Sequence, residues 1–347
     1  MRISSASQLY KLTLIVLIGF QGLSSLAQDI QFSQFYAAQT YLSPAFAGST
    51  HQTRGMFHQR LQWPRLQAKY ITSVASFDKY YAGYNSGIGA VLLYDQQGSG
   101  DISSVQLNLQ YAYEIHLNKE ITVRPGLEVG YGFRNTDYSS LSFPSQFNND
   151  VGQFTTSNNY GGAMLRYWDM TAGALVYSKN FWGGYFMNHL NRPNMAVIGD
   201  ADKLPTRFTL IGGYKIHLRP QSKLTFSDMQ HEFSVTPTVH YKAQGKSDQL
   251  DFGVYLRYDH LLAGLWYRGI PVKRFDKGLQ NNESMVASLG WRYHRWTITY
   301  SYDWVVSRLT QAKIGGAHEI NLTYVNLKKF KKRKIMKRIP CPDLFGH

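Results

Sequence analysis

Histidine, serine, cysteine and acidic side chains are the groups in this chain that could carry out acid–base, nucleophilic or metal chemistry. The eleven histidines are scattered, and none forms a His-x-x-x-His pair or a glutamate-paired spacing that would hold zinc on one element. The sequence also has no Gly-x-Ser-x-Gly motif, no phosphate-binding loop and no cysteine cluster. We therefore predict a protein that is not an enzyme and has no cofactor and no metal site.

The nearest candidate for a catalytic pair is His318 beside Glu319. A hydrolase would need a serine and a histidine brought together, with a third group to orient the histidine. These two residues lie in a stretch with strand character, and adjacent residues of a strand point to opposite faces. The pair is therefore not expected to act together.

The element that must position these side chains is the β-strand, because an alternation of apolar and polar residues runs through most of the chain. In residues 296–304 the bulky apolar groups occupy every even position, with threonine, serine and aspartate between them. An extended chain places these two sets on opposite faces. The pattern recurs at 105–116, 121–134, 233–241, 250–258, 285–293 and 319–324. No segment after residue 50 has a convincing helical period.

The alternation and the turn residues predict fourteen strands and an all-β chain. The predicted strands lie near residues 51–62, 68–78, 86–95, 101–116, 121–134, 162–177, 180–189, 204–217, 231–242, 247–258, 260–267, 282–293, 295–304 and 315–327. Tight connections at 117–120, 178–179, 259 and 294 join even to odd strands, and long ones at 134–161, 190–203, 268–281 and 305–314 join odd to even. Such sorting is typical of a transmembrane antiparallel β-barrel with short periplasmic turns and longer outer loops.

Composition and aromatic placement favour the same barrel. The 347 residues have a mean hydropathy of −0.32, and no apolar run reaches the roughly 20 residues of a spanning helix. Aromatic residues near strand ends predict an interfacial belt, with Trp63, Trp182, Tyr258, Trp266, Trp291 and Trp304 as its members. The alternative is a soluble β-sandwich, in which the apolar face would meet a core. Inside a barrel, charged residues such as Arg124, Glu128 and Asp303 would form a structural network.

The amino-terminal segment predicts export. Arg2 and Lys11 precede the apolar run 12–20, and Ser25 and Ala27 occupy the −3 and −1 positions of a cleavage site. The mature chain is expected to begin at Gln28, although a short buried helix is the alternative. The net charge of +15 is concentrated after residue 327, which argues against nucleic-acid binding by the body of the protein.

Three segments depart from the strand pattern, and they contain motifs that resemble those of a known family. The first is the aromatic-rich mature start, which leads into the motif Leu42, Ser43, Pro44, Ala45, Phe46, Ala47 and Gly48. The second is the late motif Gly316, Ala317, His318, Glu319 and Ile320, and the third is the basic tail. With these motifs the chain resembles the PorP/SprF family of type IX secretion system outer-membrane proteins from Bacteroidetes, over essentially the whole mature chain. Ser43 stands where the family usually has asparagine.

This resemblance implies a barrel related in shape to fatty-acid transporter barrels, with an amino-terminal segment that can enter the lumen as a plug. It also implies that the protein supports secretion or surface attachment of a partner adhesin with a type IX sorting domain, as in gliding motility. The expected divisions are a signal peptide at 1–27, a plug-like segment at 28–50, a barrel at 51–327 embedded in outer-membrane lipid, and a periplasmic tail at 328–347. The alternative function is a gated transporter of small hydrophobic solutes.

The tail and two loops are the candidate partner contacts. The basic side chains that could dock an acidic periplasmic component of the secretion machinery are Lys328, Lys329, Lys331, Lys332, Arg333 and Lys334. A solvated charge run that only sets topology is the alternative interpretation of the tail. At the outer surface, loops 134–161 and 268–281, or the mouth of the lumen, are expected to hold the partner.

Overall fold

The structure is a computed structural model that describes residues 29–66, 69–98, 102–136, 147–148, 153–154, 163–196, 202–218, 232–274, 280–306, 315–326 and 339. It is an antiparallel β-barrel of fourteen strands, as the sequence predicts. The strands are β1 (Thr53–Gln62), β2 (Lys69–Tyr81), β3 (Ser86–Gly98), β4 (Ile102–Tyr113), β5 (Thr122–Thr136), β6 (Ala163–Tyr177), β7 (Phe181–Asn188), β8 (Arg207–Tyr214), β9 (Phe233–Gln244), β10 (Ser247–Tyr258), β11 (Leu261–Arg274), β12 (Gln280–Tyr293), β13 (Trp296–Val305) and β14 (Ala317–Asn326).

The sheet closes on itself. Each strand pairs with the next one along the chain, and β1 pairs with β14 from Thr53 opposite Asn326 to Gln62 opposite Ala317. Two strands resume after a one-residue break, β4 at Ile115–His116 and β8 at Ile216–His217. Closure leaves no sheet edge, so backbone N–H and C=O groups inside a bilayer are satisfied by neighbouring strands.

Strand β13 shows which environment lies on each side of the wall. Its bulky side chains, including Trp296, Ile298 and Trp304, are exposed on the outside, whereas the polar residues between them are buried inside. The same division holds around the barrel, where leucine, isoleucine, tyrosine and tryptophan dominate the outer surface. A water-soluble sandwich would bury this apolar face, whereas a barrel in lipid exposes it to acyl chains.

Most connections at one end of the barrel are shorter than those at the other, although the two-residue turn between β9 and β10 lies at the end with the longer connections. Tight turns between β10 and β11 and between β12 and β13 begin with Asp259 (φ 50°) and His294 (φ 53°), left-handed residues that suit short hairpins. Short turns mark the periplasmic end of such barrels, so β1 begins and β14 ends on the periplasmic side. Most of the connection between β5 and β6 lies outside the described residues, apart from a short pair formed by Phe147–Asn148 and Gln153–Phe154.

The prediction of an outer loop at residues 268–281 is mostly wrong. Strands β11 and β12 extend to Arg274 and from Gln280, so only residues 275–279 separate them. The apolar alternation weakens after Tyr267, but strand pairing rests on backbone hydrogen bonds and continues beyond the apolar band. Side-chain pattern alone therefore underestimates a strand where it rises out of the lipid.

The chain before β1 fills the inside of the barrel. Residues 29–52, called the plug here, contain a one-turn helix α1 (Gln39–Leu42) and a 3-10 helix (Pro44–Phe46), and almost all residues from Phe32 onward are buried. Ser43 caps the second turn, since its Oγ accepts a hydrogen bond from the Ala45 N–H at 3.2 Å. No helix in the described residues has the length and apolar content needed to cross a membrane.

Leu109 and Leu117 provide a direct test of the lipid-facing surface. Their exposed fractions are nearly equal, 62% and 64%, but Leu109 lies in the middle of β4 and Leu117 in a periplasmic turn. We expect Leu109→Lys to destabilise the barrel by about 2–4 kcal/mol, because lysine at the bilayer midplane must be desolvated. Leu117→Lys should change stability little. Urea unfolding in lipid vesicles measures both, and equal effects would contradict a bilayer around β4.

Candidate functional site

The lumen is the candidate functional site, because buried charged residues of the wall converge there on the plug. At the periplasmic end the Arg124 guanidinium donates hydrogen bonds to the carbonyl oxygens of Ala45, at 3.3 Å, and Ala47. The same guanidinium pairs with Glu114, and His51 Nε2 lies 2.8 Å from the Glu114 carboxylate. Arg124 and Glu114 are buried. One wall arginine thereby supplies hydrogen bonds to two buried carbonyl groups of the plug.

Glycines of the wall make room for the plug motif. A Cβ added at Gly126 would lie 2.4 Å from the Ala45 nitrogen, and one at Gly87 would lie 1.9 Å from the Ala47 oxygen. Gly48 has a left-handed backbone (φ 70°) and donates its N–H to Asp78 Oδ2 at 2.8 Å. The motif Leu42–Gly48 thus passes the wall at backbone contact distance.

Glu319, on β14, binds the other end of the plug. Its carboxylate accepts hydrogen bonds from the backbone N–H groups of Ser33, at 2.7 Å, and Gln34, at 2.9 Å. It also pairs with Arg60 and lies 3.3 Å from His58 Nε2. All of these groups are buried. The two motifs that the sequence singled out therefore converge on one structure, the plugged lumen.

Glu319 belongs to a longer chain of charges across the lumen. Asp303 lies 3.0 Å from Arg60 Nη1 and 3.3 Å from Arg268 Nη1, and Arg268 Nε reaches Asp251 at 3.2 Å. Ser33 of the plug donates to Asp303 as well. Each charge is compensated by a partner, which the burial of ions requires. The predicted structural network forms around Arg124 and Asp303, but Glu128 has no cation within 4.0 Å among the described residues. Arg268 belongs to the network instead of to an outer loop.

An apolar patch on the opposite wall receives the plug rings. Tyr36 packs against Tyr255 with ring centroids 4.5 Å apart, and Phe35 lies 6.3 Å from Trp266. Trp182 and Trp266 are each only 2% exposed and point inward, so the prediction that they join the interfacial belt is wrong. Their strand parity places them on the lumen face, where they cover the plug. The exposed aromatic residues at strand ends include Tyr258, Trp291 and Trp304.

The plug ends near the outer mouth of the lumen. Asp29 Oδ2 lies 2.6 Å from His189 Nε2 and 2.9 Å from Arg207 Nη1, and both partners lie where β7 ends and β8 begins, at the outer end. His189 Nδ1 lies 2.9 Å from Asp169. The plug therefore climbs from the periplasmic start of β1 to the outside. Asp29 lies at the outer end although β1 begins at the periplasmic end, because the chain reverses direction between the plug and β1.

At this outer contact, burial and the neighbouring charges shift the pKa values of His189 and Asp29 in opposite directions. Burial by itself would lower the pKa of His189, but the Asp29 charge and the hydrogen bonds to Asp169 and Asp29 raise it to about 9. Burial would likewise raise the pKa of Asp29, but Arg207 and His189 hold it below its usual range. The contact is therefore an ion pair at neutral pH.

Other predicted site residues have different positions. Gly316 accepts a hydrogen bond from the Trp63 N–H at 2.9 Å, and Ala317 is buried. His318 lies on the outer face with Nδ1 2.8 Å from the Tyr300 hydroxyl, so His318 and Glu319 point to opposite faces, as predicted. The six basic tail residues lie outside the described residues. Of the segment 328–347 only Ile339 is described, and it is buried in the cluster that contains Phe35 and Tyr36.

Sequence reasoning missed several residues that hold the plug, namely Asp29, Arg54, Asp78, His189 and Arg207. For Arg54, Asp78 and Arg207, which lie within strands, lumen-facing parity combined with charge was the available signal. Asp29 and His189 carried no comparable signal. Within the described ranges, no group of three histidine, cysteine, aspartate or glutamate residues is placed to hold a metal ion.

Comparisons with known proteins agree with this geometry. The model of the family described as type IX secretion system membrane protein PorP/SprF matches residues 24–324, which is most of the chain. The chain belongs to the PorP/SprF family. No curated protein sequence matches this PorP/SprF chain.

Several solved structures resemble the PorP/SprF barrel in shape. The toluene transporter TodX of P. putida has 10% identity and a TM-score of 0.46, covering 83% of this chain and 93% of its own. A Pseudomonas aeruginosa FadL homologue has 10% identity and a TM-score of 0.42, with coverage of 87% and 95%. The outer membrane protein Omp33 of Acinetobacter baumannii has 8% identity and a TM-score of 0.43, with coverage of 80% and 98%. At such identities and scores, these likenesses say nothing about what the PorP/SprF chain binds.

Adding a methyl group at Gly87 or Gly126 should displace the plug of this PorP/SprF barrel. The new Cβ would overlap backbone atoms of Ala47 or Ala45, which cannot move without shifting the 3-10 turn. We expect Gly87→Ala and Gly126→Ala to raise ion conductance in planar bilayers. Gly55→Ala is the matched control, since nothing lies within 4 Å of its added Cβ. Equal conductance in all three variants would show that these contacts do not hold the plug.

Removing the Glu319 charge should destabilise the plugged barrel strongly. Glu319→Gln leaves His58 buried without its carboxylate and leaves Arg60 with Asp303 alone, and breaking a buried pair in this way costs about 3–5 kcal/mol. The neighbouring control His318→Gln, on the outer face, loses at most one hydrogen bond, worth about 1 kcal/mol. Unfolding in detergent by urea compares the two. Similar losses would exclude Glu319 as a principal anchor.

The outer contact should loosen at alkaline pH. The pKa of His189 is raised from 6.5 to about 9, so its stabilisation is complete below pH 6.5 and is lost as pH rises through about 9. A nitroxide label on Ile30→Cys, in a Cys341→Ser background, should become more mobile over that range. His189→Gln should abolish the pH dependence. A label whose mobility does not change up to pH 10 would contradict the assignment.

Proposed function

We propose that this chain is a non-enzymatic outer-membrane component that supports secretion or surface attachment of a partner adhesin of the type IX pathway. The observation that carries the proposal is family membership over residues 24–324 together with a lumen filled by the chain's own plug. A barrel that is filled in this way is better suited to binding a protein at its rim than to passing solutes.

The plug supports this proposal through the way it is held. Its hydrogen bonds reach β1, β5 and β14, the ion pair of Asp29 with Arg207 reaches β8, and aromatic packing reaches β10 and β11. Because the ties are distributed around the wall, solute passage would require many buried charges to lose their partners at once. Solute transport is therefore the less favoured function.

The proposed docking surface is the outer rim. Loop 134–161 remains a candidate through residues 137–161, and its polar Asn148, Asn149, Asn158, Asn159 and Tyr160 suit an adaptable contact. Of the second loop only 275–279 remains, at the tip of the long β11–β12 hairpin. The hairpin replaces a flexible loop by paired strands, which would reduce the entropy lost when a partner binds.

Localisation and the tail complete the proposal. The chain would be exported through a cleaved signal peptide, residues 1–27, to the outer membrane of a Bacteroidetes-type Gram-negative bacterium. The tail residues Lys328, Lys329, Lys331, Lys332, Arg333 and Lys334 would dock an acidic periplasmic component of the secretion machinery.

Partner binding can be separated from solute transport by two measurements. The mature chain, purified in detergent from cells that secrete by this pathway, should co-purify with a surface adhesin that carries a sorting domain. Deletion of the chain should reduce display of that adhesin on intact cells. Flux of small hydrophobic solutes in liposomes, with adhesin display unchanged by the deletion, would favour the transporter function instead.

Deletion of residues 328–347 tests the tail. If the tail docks secretion machinery, adhesin display should fall while barrel assembly, measured by heat-modifiable gel mobility, stays normal. A matched variant with the six basic residues changed to glutamine keeps the length and should behave like the deletion. Normal display with normal assembly in both variants would remove the docking role.

A further inference from the structure

A cavity lies above the plug at the outer end of the lumen. It has a volume of about 110 Å³ and is lined by residues of β3 to β8, and two plug residues, Ile30 and Tyr41, form its floor. The Tyr41 hydroxyl donates to the Ile30 carbonyl at 2.9 Å, which ties the floor together. Such a space holds several water molecules or the end of one long side chain, but not a folded domain.

One side of this cavity is a row of hydrogen-bond acceptors. Asn108 on β4, Gly130 on β5 and Asp169 on β6 are neighbours across the sheet, and the Asn108 side chain lies over Gly130, where an added Cβ would overlap its Oδ1. Glu128 lies two residues before Gly130 and faces the same cavity. We call Asn108, Glu128 and Asp169 the acceptor patch.

The acceptor patch contains one amide oxygen without a donor and one carboxylate without a cation among the residues that the structure describes. Asn108 is 7% exposed, and its Oδ1 meets no hydrogen-bond donor in the described part of the chain. Glu128 is 9% exposed and accepts from Gln110 Nε2, but no cation lies within 4.0 Å of it among the described residues. Buried acceptors left in this way are costly unless a donor reaches them.

In the described part of the chain, the cationic side chains that line the cavity either pair with Asp29 or make no ion pair with the acceptor patch. Arg207 and His189 pair with Asp29, and Asp169 shares His189 with Asp29. Arg134 lines the same cavity but makes no ion pair with Glu128 or Asp169 in the described residues. The cavity thus has four carboxylates, from Asp29, Asp95, Glu128 and Asp169, against two guanidinium groups and His189.

We propose that the acceptor patch binds the cationic end of a lysine or arginine side chain on the secreted protein partner. An ammonium group carries three donors and one charge, which match an amide oxygen and two carboxylates on one wall. No metal-binding group of three side chains exists among the described residues, so a basic side chain fits this wall better than a divalent ion. This inference rests on the proposed function, because it names how the partner is held.

An acetylated tetralysine peptide is the probe, with the full mature chain in detergent and fluorescence anisotropy as the measurement. Without Arg2 and Lys11 of the predicted signal peptide, the mature chain has a net charge of +13, which repels this peptide in general and makes any binding informative. Glu128→Gln keeps the size of the side chain and should weaken binding about tenfold or more. Glu120→Gln removes one charge from an exposed periplasmic turn and should leave binding unchanged.

A second variant keeps the inference testable if Glu128→Gln fails to fold. The Gln106 side chain already reaches Asp169, with Nε2 3.4 Å from Oδ2, so Gln106→Lys would place a tethered ammonium on the acceptor patch. It should abolish peptide binding while raising the unfolding temperature. Failure of the wild-type chain to bind tetralysine at millimolar concentration would overturn the inference. Equal binding by the wild type, Glu128→Gln and Gln106→Lys would also overturn it.

Adhesin retention separates this inference from the proposed function. If the wild type retains an adhesin and Glu128→Gln and Gln106→Lys retain it equally well, the acceptor patch is not the contact and the inference fails alone. If the wild type retains no adhesin, the proposed function fails, whatever the peptide result. If calcium ions bind the wild type and displace tetralysine, the acceptor patch is an ion-binding site. That result would also overturn the inference.

Discussion

Charge buried inside the lumen must be paired, and this constraint joins the plug to the wall. A carboxylate such as Glu319 cannot remain ionised in a filled lumen without donors on every side. Two of its donors are plug backbone N–H groups and the others are Arg60 and His58 of the wall. Plug and barrel therefore stabilise each other, because either one alone would leave ions without partners.

Shape complementarity adds to this pairing. The plug motif approaches the wall at Gly87 and Gly126, where no side chain fits between the two backbones. On the facing side, Trp266 and Tyr255 replace polar residues and cover the rings of the plug. The lumen is consequently polar where the plug offers backbone groups and apolar where it offers rings.

The path of the plug has a consequence for function. Because the chain climbs from the start of β1 to Asp29, it presents its leading end to the outside and forms the floor of the outer cavity. The outer end of the lumen is thus built from the wall and the plug together.

The sequence by itself determined the barrel, because alternation along each strand is a local property imposed by lipid outside and polar groups inside. Through a family resemblance it also singled out the motifs Leu42–Gly48 and Gly316–Ile320, and parity alone placed His318 and Glu319 on opposite faces. Only the tertiary structure decided which wall residues meet the plug, that Trp182 and Trp266 point inward, that the β11–β12 hairpin extends to Arg274, and that Asp29 lies at the outer end. These features depend on pairing between residues up to 286 positions apart, and a pattern of neighbours along the chain carries no information about such partners.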